Sequence, residues 1–150
     1  MMVLDSSVII EYIDLKGELH DVAEVVFENL NQGKLTGLIP HPTLTETYYV
    51  AQRIYKKIDP KNAKKKATLL INWLYSHPHL RVIADTLNLA IIAGEIKLKL
   101  HLALTDCYVL ATSKIHNAKA VFKKREREMQ DVIREIEENF DVIFLEDYKE

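Results

Sequence analysis

One cysteine, four glycines and four prolines among 150 residues are too few for several kinds of protein. Cys107 alone cannot close an internal disulfide, so stability has to come from a core, and nothing asks for an oxidising compartment. Four scattered glycines exclude a glycine-rich phosphate cradle, a collagen-like repeat and a flexible linker. No apolar run approaches the ~18–20 residues that span a bilayer, and Met1-Met2-Val3-Leu4 meets Asp5 at once instead of a signal-peptide core. The expectation is a cytoplasmic protein with no membrane partner. What the sequence does hold, 48% hydrophobic and 28% charged residues, suits a single domain over 1–150 that buries roughly 68–70% of its unfolded surface.

The formal net charge of −2 counts at first against a polyanionic partner, but the charges are segregated. Acids crowd both ends, from Asp5 to Glu28 and from Glu135 to Glu150. Bases form two blocks, Arg53 to Lys66 and Lys114 to Arg127. Local potential decides what a surface attracts, so the blocks are either solvated helix faces or a footprint for a polyanion.

Five short apolar runs, Val3-Leu4, Leu38-Ile39, Leu80 to Ile83, Ala120 to Phe122 and Val142 to Leu145, each abut a turn, a charge or a new period, as strands do. Between them the period is helical. Val22, Val25, Val26 and Leu30 share a face, as do Leu87, Ile91, Ile96 and Leu100 more loosely, and Met129, Val132, Ile133, Ile136 and Phe140 most clearly. A helix opens near Pro42 and breaks at Asp59-Pro60; the next carries Ala67, Leu70, Ile71 and Leu74 and stops before His77-Pro78-His79, which reads as a surface loop. Alternating strands and helices predict an α/β fold with a mainly parallel sheet covered on both faces. In such folds ligands bind beyond the carboxyl ends of the strands.

Three acids stand near that edge. Asp5 follows the first apolar run, where it either caps the next helix or points into the crevice. Glu46 lies in the first turns after the second run, among uncharged residues; an ordinary acid favoured by the helix dipole is the plainer alternative. Asp106 interrupts Leu102-Ala103-Leu104-Thr105-Asp106-Cys107-Tyr108-Val109-Leu110-Ala111, apolar nearly all round, where an ionised carboxylate needs a cation, hydrogen bonds or a proton. An N-cap shared with Thr105 is the competing account. Clustered carboxylates repel unless a divalent cation sits among them, and hard oxygen ligands select Mg²⁺ or Mn²⁺, the equipment for hydrolysing a phosphodiester.

These residues resemble a known family. Met2-Val3-Leu4-Asp5-Ser6-Ser7-Val8-Ile9-Ile10 resembles the opening motif of PIN-domain nucleases, Leu44-Thr45-Glu46 their second acidic motif, and Leu104-Thr105-Asp106-Cys107-Tyr108-Val109-Leu110-Ala111 their third. The order and the α/β pattern agree over essentially the whole chain. The resemblance implies a PIN-like three-layer α/β/α fold with about five strands and a Mg²⁺- or Mn²⁺-dependent endoribonuclease. Asp5, Glu46 and Asp106 would be its catalytic metal ligands, and the protein could be the toxin of a VapBC-type toxin–antitoxin pair. By the same resemblance Ser7 helps to hold Asp5 or a metal-bound water, and an antitoxin is the protein partner; Thr105 either orients Asp106 similarly or, the plainer account, makes a capping or turn hydrogen bond. The helical pair from Tyr49 to Tyr75 would receive that antitoxin or form a homodimer.

One departure stands out. The family continues its fourth strand into Thr-x-Asp, whereas Lys119-Ala120-Val121-Phe122 leads here into Lys123-Lys124-Arg125-Glu126-Arg127-Glu128. Glu126, with Glu128 behind it, is the nearest candidate for the fourth acid, and a plain helix start is the competing account. RNA would be held by Lys123, Lys124 and Arg125, with Tyr49 as a stacking platform. The missing motif also motivates a second reading, a catalytically weak or silent PIN-like module that binds RNA or protein. A phosphoacceptor domain fits less well, because its tandem acids are absent around Asp5. Asp85 reads as a helix cap, the six histidines show no metal spacing, and Cys107 reads as a small core residue.

Overall fold

The computed structural model describes residues 1–150. Five strands, β1 (Met2–Leu4), β2 (Gly37–Pro40), β3 (Leu80–Ile83), β4 (Lys119–Phe122) and β5 (Val142–Phe144), form one sheet in the order β3-β2-β1-β4-β5, and every pairing is parallel. Each expected run is a strand. Because successive strand side chains face opposite ways, neighbouring residues feed different layers. Leu4, Ile39 and Val121 pack under α1 (Ser6–Ile13), α2 (His20–Asn31), α3 (His41–Ile58) and α4 (Ala63–Ser76). Val3, Leu38, Ala120 and Phe122 pack under α5 (Leu87–Leu100), α6 (Leu104–His116), α7 (Arg127–Gln130) and α8 (Ile133–Asn139). This is the three-layer α/β/α arrangement. No helix is long and apolar enough to cross a membrane.

The order places a topological switch between β1 and β4. From β1 the chain winds outward through β2 to β3, then returns to the other side of β1 for β4 and β5. The turns that follow β1 and β4 therefore diverge from adjacent strand ends and open a crevice, the position where α/β sheets bind ligands.

Several local expectations are corrected. The periodic stretch from Met129 to Phe140 is broken: α7 ends at Gln130, and α8 starts three residues later. Met129 and Ile136 are both buried, so the face is continuous although the helix is not. On α5 the buried side chains are Leu89, Ala93 and Ile96, while Leu87 and Ile91 are exposed. The His77-Pro78-His79 turn is not a plain surface loop. His77 is buried, its Nε2 pairs with Asn31 Oδ1 at 2.8 Å, and its Nδ1 accepts the His79 N–H at 3.0 Å. Burial, with His79 beside it, holds His77 below the usual histidine pKa. Asp85 is exposed, and the cap of α5 is Thr86, whose hydroxyl accepts the Leu89 N–H at 3.1 Å.

Candidate metal centre at the strand ends

Asp5 is buried where β1 runs into α1, and one of its two oxygens is used as a helix cap. Its Oδ2 caps the helix, accepting the Ser7 N–H at 3.0 Å and the Ser7 hydroxyl at 2.5 Å. Its Oδ1 is buried with no hydrogen-bond partner. A carboxylate oxygen left without a partner is costly, and its setting calls for a cation or a proton. The Ser7 hydroxyl also accepts the Lys123 N–H at 3.0 Å, which ties the ends of β1 and β4 together through one oxygen.

Glu46 enters from α3, which begins directly after β2. Its two oxygens are held by different elements: Oε1 accepts the Ser6 hydroxyl of α1, and Oε2 accepts the Thr105 hydroxyl of α6 at 3.1 Å. The Thr105 hydroxyl therefore serves Glu46, neither Asp106 nor a turn, and Ser6 joins it. Ser6 escaped notice because a serine beside a helix start reads as a cap, and its partner lies 40 residues away. Loss of the two hydroxyls (Ser6→Ala with Thr105→Val) should lower turnover about tenfold or more while metal affinity falls less; steady-state kinetics and calorimetry separate the two.

Asp106 lies in the first turn of α6 but is not its cap, a position held by Ala103. Burial is the main reason that its pKa rises to about 8, and the charges of Asp5, Glu46, Glu126 and Glu128 add to the rise. The same causes act on Asp5, burial first and Glu46 adding to it; the Ser7 hydrogen bonds oppose them, and its pKa rises to about 6. Asp106 thus feels all the other acids, and Glu126 and Glu128 belong to the same field. Burial and Asp106 push the Cys107 thiol up to about 11, which leaves no thiolate for chemistry near neutrality.

The oxygens of Asp5, Glu46 and Asp106 do not close to within 4.8 Å of one another; the one group of three that does is His20, Asp21 and Glu24 on α2. Those residues share the first turns of α2, with Asp21 and Glu24 exposed and half-buried His20 already placing its Nδ1 on the Glu11 carbonyl at 3.1 Å. Spacing wider than that leaves room for a hard divalent cation that keeps some of its waters. An all-oxygen donor set, an orphaned buried Oδ1 and a carboxyl driven toward its neutral form all fit a hard divalent cation. Two cavities of about 620 and 720 Å³ lie elsewhere, between α2 and the C-terminal turn and among α5, α6 and α8.

The basic residues divide. Lys123 Nζ pairs with buried Glu11 at 2.8 Å, and Glu11 also accepts the Leu19 N–H at 2.6 Å. Arg125 is engaged by Glu146, Asp147 and Glu137. Both side chains thus face acids of the chain itself in this structure. Lys124 is exposed and makes no ion pair, and Tyr49 is exposed with Arg53 5.0 Å above its ring.

The sequence profile of the PIN domain matches residues 2–135, nearly the whole chain. The chain belongs to the PIN-domain family. No curated protein matches the sequence. Solved structures share the fold at low identity. A toxin-antitoxin complex from Klebsiella pneumoniae superposes with a TM-score of 0.64 at 12% identity, covering 97% of this chain and 98% of that one. VapC20 from Mycobacterium tuberculosis, described as a sarcin-ricin loop cleaving toxin, superposes at 0.63 with 13% identity over 80% of this chain and 87% of its own. The FitAcB structure from Neisseria gonorrhoeae superposes at 0.60 with 17% identity over 97% and 98%. At such identities these PIN-domain likenesses establish the fold.

Proposed function

We propose that this PIN domain is a nuclease, specifically a Mg²⁺- or Mn²⁺-dependent endoribonuclease that hydrolyses RNA phosphodiester bonds, and that it is the toxin of a toxin–antitoxin pair. The observation that carries the reading is the orphaned, buried Oδ1 of Asp5, set in the field of acids that drives Asp106 toward protonation. The family match and the structural neighbours, one a toxin-antitoxin complex and another a sarcin-ricin loop cleaving toxin, support it.

Asp5, Glu46 and Asp106 would hold the ion, with Glu126 at the rim. When bound, the metal would neutralise phosphate charge and acidify an attacking water. The remaining work belongs to the chain. Ser7 fixes Asp5 through Oδ2 and leaves Oδ1 turned to the site; Ser6 and Thr105 clamp both oxygens of Glu46, so that it need not reorganise during the reaction. Asp106 must release its proton before it can act as a ligand, and that release is built into the site as a pH requirement. Lys124 and Tyr49 are the groups left to steer and stack the strand. A homodimer and an antitoxin that covers the acidic crevice complete the reading.

The test is cleavage of mixed structured RNAs. The expected result is cutting with Mg²⁺ or Mn²⁺ and none in excess chelator; activity that survives chelation would refute the metal mechanism. The alternative of a silent binding module draws on the missing Thr-x-Asp. It loses weight because Glu126 and Glu128 lie near enough to Asp106 to act on its charge.

A further inference from the structure

Strands β4 and β5 are parallel neighbours, so the segments that leave their carboxyl ends run side by side. After β4 come Lys123 to Glu126; after β5 comes a 3₁₀ turn over Leu145–Tyr148. A short surface loop after a strand is ordinarily mobile, yet this one is tied at Lys123 and at Arg125. The Lys123 carbonyl accepts the Glu146 N–H at 3.1 Å, and the Arg125 N–H donates to Glu146 Oε1 at 2.9 Å. The Arg125 guanidinium forks onto both oxygens of Asp147 at 2.8 and 2.9 Å, reaches Glu146 Oε1 at 3.0 Å, and lies 4.2 Å above the Phe144 ring. Single exposed ion pairs contribute little, but a bidentate fork inside a network, stacked on a buried aromatic, holds its geometry.

Glu126, the next residue, is the N-cap of α7, and its carbonyl accepts the Met129 and Gln130 N–H groups. The residue is therefore fixed on its C-terminal side by a helix and on its N-terminal side by the tied loop. We infer that the C-terminal turn is a positioning clamp for the metal centre: Arg125, held by Glu146 and Asp147, sets the place from which Glu126 meets the ion. The inference rests on the metal-centre reading proposed above. Arg125 and Asp147 are positioning residues and touch no substrate. The clamp also gives a role to Arg125 of the basic block, which faces the C-terminal acids.

The two ends of the fork carry opposite charges, which makes the clamp separable from long-range electrostatics. Arg125→Ala makes the surroundings more negative and, by charge alone, would tighten cation binding; Asp147→Asn makes them less negative and would weaken it. A clamp predicts that both weaken binding. The experiment is Mn²⁺ titration by calorimetry on the full chain, for wild type, Arg125→Ala, Asp147→Asn, Glu126→Gln and the two pairings with Glu126→Gln, with melting curves to confirm folding. The expected result is a loss of affinity of about tenfold in each clamp variant, the usual scale for groups that orient a ligand. In the Glu126→Gln background neither clamp variant should cause a further loss. Asp147→Asn is the milder change and serves if Arg125→Ala does not fold. Shifts of opposite sign, unchanged affinity, or losses that persist without Glu126 would each overturn the clamp and leave the metal centre standing. A wild type that binds no Mn²⁺ would overturn both.

Discussion

Asp106→Asn is expected to lower metal-dependent RNA cleavage by at least about a hundredfold and, in the same molecule, to make the metal-free protein more resistant to heat. The substitution is nearly isosteric, so the core around Cys107, Val109 and Leu110 keeps its packing and only the charge is lost. The carboxyl is raised above its unfolded value of 3.8 to about 8 by burial first and by four neighbouring acids after it. A raised acid stabilises the fold below its unfolded pKa, and that stability is lost as pH rises through the folded pKa. At about pH 8.5 the wild type therefore bears most of the cost of an ionised Asp106, and the asparagine bears none. With coupling among the acids, a gain of about 1–3 kcal/mol is reasonable, roughly 3–10 °C in melting temperature for a chain of this size. Differential scanning calorimetry in chelator, beside cleavage assays in Mn²⁺, measures both halves. A variant that cuts RNA at full rate, or one that melts lower than wild type at that pH, would sink the assignment.

How much of this could be read beforehand follows the range of the interactions. The five strands were readable because a buried parallel strand needs a short apolar run, a local property, and Asp5, Glu46 and Asp106 stood out because carboxylates are rare beside such runs. Partners were not readable. Ser6 and Thr105 meet on Glu46 across 40 and 59 residues, and no local pattern encodes that meeting. Lys123 and Arg125 show the same limit from the other side: a basic run says nothing of whether Glu11, Glu146 and Asp147 will fold back onto it. His77 looked like loop because Pro78 marks a turn, while its burial depends on Asn31 at the far end of α2. The helix break after Gln130 went unseen because Met129 and Ile136 keep one buried face on both sides of it.

Adding Mn²⁺ should raise the melting temperature strongly at about pH 9 and only slightly at about pH 6.5, while the metal-free protein shows the opposite slope. The two trends have one origin. At the lower pH Asp106, raised to about 8, holds its proton, and Asp5, raised to about 6, holds part of one. A cation must displace those protons, so its apparent affinity falls. At the higher pH the protons have left, the carboxylates repel one another across a buried crevice, and the cation relieves the repulsion. At a free concentration of about 100 times the dissociation constant, binding stabilises the fold by about 2.7 kcal/mol, roughly 5–10 °C here. The range stops near pH 6.5 for a reason within the protein: His77, held below the usual value by burial, contributes stability that is lost as pH falls below it, and would mask the carboxylates. Asp5→Asn should remove most of the metal-induced rise at both pH values, because it converts the orphaned Oδ1 from a charged ligand into half of a neutral amide. A rise in melting temperature that ignores pH, or one that survives Asp5→Asn in full, would place the ion somewhere other than the ends of β1 and β4.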